Sequence, residues 1–161
     1  VVNGKDQVSS PLAEAMLEIG GESLEAMTSI LADLGDDLAN RRPSLDGANS
    51  PYAIVFHCVG MLEHWAGSVI GGERIPRDRD AEFIATGPVD ELIHRVGEVR
   101  SRLPSWVDIA VSEGIRDRSA QGSTRGNAAT ATPEWVLLHI QRELAQHLGQ
   151  LELTRDVLTQ A

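Results

Sequence analysis

Glu143 and His147 stand four residues apart in a stretch whose apolar residues recur with a helical period. On a helix their side chains lie one above the other, separated by about 6 Å along the axis, so the two can share one ion. Leu137, Leu144, Leu148 and Leu151 define the apolar stripe of that helix, with Ile140 and Leu158 at one edge. His147 falls beside this edge, and Glu143 lies one step further round. On an earlier stretch Ile54, Cys58, Met61, Trp65 and Val69 share a face, and His57 and His64 both lie at its edge. Seven residues, or about 10 Å of helix, separate these two, so one metal does not take both, and spacing leaves either open. His139, opposite Leu148, and His94, turned away from Leu92, Val96 and Leu103, are set aside. Imidazoles joined by a carboxylate are a donor set for a divalent metal, and three protein ligands leave a coordination position open for chemistry.

Simpler roles account for other reactive residues. Cys58 sits in the middle of an apolar face, as a small buried thiol does. Trp65 and Trp135 read as packing anchors. Arg74, Arg77 and Arg79 alternate with acids and read as a solvated loop.

The composition narrows the classes further. With 14 Lys plus Arg against 24 Asp plus Glu the net charge of the 161 residues is −10, which argues against nucleic acid as a partner. One cysteine excludes an intrachain disulfide framework and a cysteine-rich zinc cluster, leaving five histidines and the carboxylates as donors. No run approaches 18 uncharged apolar residues, and the opening Val-Val-Asn-Gly-Lys-Asp lacks the apolar core of a signal peptide. No membrane association is expected, and the cytoplasm is the expected compartment. Thirteen arginines against one lysine, Lys5, suggest a GC-rich genome.

Four helical segments must position these residues, and strand-like alternation is missing at useful length. The first runs from about Ser10 to Asn40, with a break or kink expected at Gly20-Gly21. The second starts at Ser50-Pro51 and runs to about Ile70. A polar connection over 73–87, with at most one helical turn near Ala81–Ile84, leads to a third helix from about Pro88 to Ser112. Residues 116–132 read as a mobile crossover. The fourth helix opens with Thr132-Pro133-Glu134 and runs to about Leu158. This pattern predicts a single all-α domain over 1–161, a four-helix bundle with two long connections.

The segment His57-Cys-Val-Gly-Met-Leu-Glu63-His-Trp65 resembles the His-x5-Glu-x-Trp pattern in the second helix of the DinB superfamily, in particular an actinobacterial branch related to mycothiol-dependent maleylpyruvate isomerase. Trp135 through Glu143, His147, Gly149 and Gln150 to Arg155-Asp156 is similar to the last bundle helix of that branch. The resemblance spans essentially the whole chain. It implies a DinB-like metal-binding bundle in which His57, Glu143 and His147 are the ligands, so that His57 is preferred over His64. Zinc is the first expectation for the metal and nickel the second. It further implies mycothiol or bacillithiol as cofactor or nucleophile, with the arginine-rich composition compatible with mycothiol, and makes homodimerisation through bundle helices an expectation. Gln150 and Glu152 depart from the branch, which often has His and Asp there. The two-domain isomerases carry an additional C-terminal domain for which 161 residues have no room, so isomerisation is not the expected reaction.

The leading expectation is a metal-dependent thiol S-transferase that joins a small thiol to an electrophilic small molecule. The polar connections 73–87 and 116–132 are expected to shape the substrate mouth. A metal-dependent hydrolase is the alternative enzyme, with only Glu63 or His64 as general base and no His-Glu-x-x-His motif. A non-catalytic metal- or ligand-binding bundle is the third reading.

Overall fold

Ser50 and Thr132 open the two helices that matter most for the site. Each side-chain oxygen accepts a hydrogen bond from the backbone N–H three residues on, Ala53 and Trp135 respectively, and each is followed by a proline in the first turn. In the computed structural model, which describes residues 10–123 and 128–160, they belong to a bundle of four long helices. These are α1 (Pro11–Ala39), α2 (Pro51–Leu62, continued by a π-helical segment, Glu63–Ile70), α4 (Val89–Ser112) and α5 (Pro133–Thr159). A single turn, α3 (Arg79–Glu82), lies in the connection before α4. The described residues contain no strand, so the architecture is the all-α bundle read from the sequence.

The helix formed by Pro51–Ile70 is the centre of the bundle. Every residue in it is buried except Phe56 and Glu63. Arg95 of α4 covers both, its guanidinium 4.8 Å from the Phe56 ring centroid and 2.6 Å from Glu63. By length and composition alone this helix could cross a membrane, yet 89% of its apolar window is buried inside the bundle. A helix apolar on all sides is what a bundle needs at its core.

Two expectations about α1 need correction. Gly20 and Gly21 do not break it: both are buried in continuous helix, and a Cβ on Gly20 would stand 3.3 Å from Gln141 Oε1 and 3.7 Å from Leu144. Gly20 thus lets α1 lie close to α5, while Gly21 faces Arg100 of α4. The interruption is at Gly35, with φ 65° and ψ 178°, a conformation that glycine adopts without a Cβ clash. Beyond it Asp36 and Asn40 take over the start of α4. Asp36 Oδ1 accepts from Val89 N–H at 2.7 Å, and the Asn40 side chain bonds both the N–H and the carbonyl of Gly87.

Leu92, Val96, Val99, Leu103 and Val107 of α4 are all buried, as their period predicts. The crossover residues 116–123 and 128–132 are non-helical, and residues 124–127 of the expected mobile stretch lie outside the described residues.

Candidate metal centre

His57 from α2 and Glu143 and His147 from α5 meet in the bundle interior. Each offers a ligand atom, and the three atoms lie within 4.8 Å of one another. His147 Nε2 is 3.5 Å from Glu143 Oε2, and the rings of His57 and His147 meet edge-on with centroids 4.7 Å apart. No other group of three metal-ligating side chains gathers this closely among the described residues.

Both histidines are fixed through their other nitrogen. His57 Nδ1–H donates to Glu82 Oε2 at 2.7 Å, a buried bond. His147 Nδ1–H donates to the amide oxygen of Gln150 at 2.9 Å. A carboxylate and an amide oxygen only accept, so each ring donates from Nδ1 and Nε2 is the nitrogen left to bind a metal. The site therefore has the donor chemistry of a divalent-metal centre: two imidazoles, one carboxylate, and oxygen acceptors behind the imidazoles. Burial works to raise the pKa of Glu143, but the Arg142 hydrogen bond and the nearby His139 outweigh it and hold the carboxyl below its ordinary value. Burial keeps His147 below the usual histidine value despite Gln150 and Glu143. Ionised carboxylate and neutral imidazole are the forms that bind metal.

Glu82 is the functional residue that sequence reasoning missed. It is only 2% exposed and takes Arg77 as a second partner: Arg77 Nε–H donates to Oε1 at 2.6 Å and Nη2–H to Oε2 at 2.9 Å. Its pKa is lowered, because the His57 and Arg77 hydrogen bonds together outweigh the large opposing effect of burial. Arg77 is not the solvated loop residue expected, since its side chain is 5% exposed. The Asp78 side chain accepts from Ala81 N–H and caps α3, and this turn returns the chain so that residues five apart pair beneath His57. Phe83 follows directly and stacks on the His57 ring at 5.0 Å.

His139 also differs from expectation. It is buried, stacks on Trp135 and meets Trp65 edge-on, both at 4.9 Å, and its Nδ1 is 3.8 Å from Glu143 Oε1. The stripe that packs is centred near Ile140, Leu144 and Leu151, while Leu148 is only half-buried. Measured from Leu151 on the helical wheel, His139 is about 120° away, within the broad face that α5 buries. His139 lines the site without joining the ligand cluster.

The remaining candidates stand apart. His94 is exposed. Glu63 is engaged by Arg95 on α4. His64 is buried with neither ring nitrogen hydrogen-bonded, and burial, then the Arg77 charge, pushes its pKa down to about 4. Burial, then the charges of Glu143 and Glu82, raises the Cys58 thiol far above its ordinary value, so it stays protonated.

A cavity of about 50 Å³ opens over the cluster, walled by Met61 and Trp65 and entered past Arg77, Arg79 and Ser123. The same three entrance residues line an adjoining recess of about 420 Å³. The two polar connections thus meet at the mouth, with Arg79 lying over the Phe83 ring at 5.2 Å.

Residues 15–160 match the model of the family described as Mycothiol-S-transferase. No curated protein matches the chain.

Proposed function

The chain belongs to the Mycothiol-S-transferase family, and on that premise we propose that it is a metal-dependent transferase that joins mycothiol to a small electrophile. The observation that carries this reading is the gathering of His57, His147 and Glu143, with Nδ1 of each histidine engaged by Glu82 or Gln150. His57, Glu143 and His147 would hold one divalent metal, with zinc the first candidate for this donor set. The metal, once bound, supplies a lowered pKa for a coordinated thiol and so thiolate at neutral pH.

The protein's own residues do the rest. Met61 and Trp65 line the small cavity beside His57 and Glu143. Arg77, Arg79 and Ser123 leave a polar entrance for the hydroxyl-rich thiol, and the larger recess outside them has room for the electrophile. Cys58 takes no part, since its thiol is buried and protonated.

Conjugation of mycothiol to monochlorobimane tests the reading. The sulfur bonds to the chloromethyl carbon, the thiol proton passes to solvent and chloride departs. Zinc-loaded protein is expected to accelerate bimane fluorescence, and Cys58→Ala to leave the rate unchanged within about twofold. Failure to accelerate conjugation of mycothiol, with metal bound, contradicts transfer.

A further inference from the structure

We infer that Glu82 is a positioning residue of the metal centre, held in a seat made by Gly60 and Arg77, and that it raises metal affinity by orienting His57. The inference rests on the metal reading above and extends it to residues outside the ligand set.

The seat is specific to this carboxylate. Gly60 lies on α2 one turn after His57, and a Cβ built there would overlap Glu82 Oε1 and stand 2.9 Å from its Cδ. The missing side chain is the space the carboxylate fills. Arg77 holds the carboxylate with two hydrogen bonds from its planar fork, the geometry in which arginine holds a carboxylate most firmly. Arg77 is anchored in turn, because Nη1–H donates to the Gly122 carbonyl at 2.9 Å. Oε2 faces His57, so the imidazole has one rotation and one tautomer available. A carboxylate accepting from Nδ1–H also makes Nε2 a stronger electron donor.

Zinc competition against a chromophoric chelator, with wild type, Glu82→Gln and Gly60→Ala, tests the role. Cobalt absorption spectra of the same proteins report the ligand field. Glu82→Gln keeps the shape and removes the charge, and is expected to weaken zinc binding about 10- to 100-fold and to shift the cobalt spectrum. Gly60→Ala keeps Glu82 and spoils its seat, and is expected to weaken binding in the same direction. Far-ultraviolet circular dichroism identifies which variants are folded, and should Glu82→Gln not fold, Gly60→Ala gives the decisive reading. Wild-type affinity and an unchanged cobalt spectrum in a folded variant overturn the positioning role while leaving the metal reading intact. A wild-type chain that binds neither metal overturns both.

Discussion

His57 and His147 face one another across the same site, and the two sides of the bundle fix them by different means. His147 relies on Gln150, three residues further along α5, through one neutral hydrogen bond. His57 relies on Glu82, 25 residues away, whose charge is buried and balanced by Arg77. A local amide costs little to hold in place, because the helix has already aligned it. The buried carboxylate and guanidinium must both be desolvated, and removing either partner from such a pair typically costs about 3–5 kcal/mol. One side of the site is therefore built from helix geometry, and the other from tertiary structure in which α3, Arg77 and the notch at Gly60 depend on each other.

The largest effects should come from removing the ligands themselves. His147→Ala and Glu143→Ala each remove a donor atom, and the loss of zinc affinity should exceed the upper end, about 100-fold, expected for groups one layer further out. Competition titration checks this, and bimane conjugation should fall with it. Retention of wild-type affinity by either variant would place the metal elsewhere.

A second difference is visible in acid. His64 lies near the Arg77 side of the site, and its folded pKa is pushed down to about 4. The unfolded chain, with a histidine near 6.5, takes up the proton first as the pH falls. Stability from this residue is complete above about pH 6.5 and is lost between there and pH 4, by an amount on the order of 3 kcal/mol. Denaturant titrations at pH 7 and pH 4.5 should show that His64→Leu loses less stability on acidification than wild type. Parallel losses in the two proteins would contradict the assignment.

The smallest effect sharpens the contrast itself. Gln150→Leu removes a neutral, partly buried acceptor, and zinc affinity should fall by about tenfold, the low end of the range for such groups. Equal losses for Gln150→Leu and Glu82→Gln would mean that the charge behind His57 adds nothing.

The sequence revealed what helix periodicity and caps control. Ser50-Pro51 and Thr132-Pro133 marked the starts of the helices that carry the site, and the i, i+4 spacing of Glu143 and His147 placed them together. The choice of His57 over His64 came from the resemblance, because a 100° wheel places both at one edge. Beyond Leu62 that wheel no longer applies, since the backbone turns π-helical at Glu63, with Gly71 N–H bonding five residues back to Ala66. The Arg77–Glu82–His57 chain was hidden for a different reason: its residues look like ordinary loop charges until α3 turns them inward. Gly20-Gly21 illustrates the same limit, for a glycine pair suggests a break locally and serves here as a close-packing surface.

Cobalt titration of the metal-free protein, followed by mycothiol, tests the central claim most directly. The account predicts one cobalt per chain and, on adding the thiol, a new near-ultraviolet thiolate-to-metal band that is absent in His147→Ala. A protein that takes up no cobalt, or whose bound cobalt shows no thiolate band at saturating mycothiol, would contradict it.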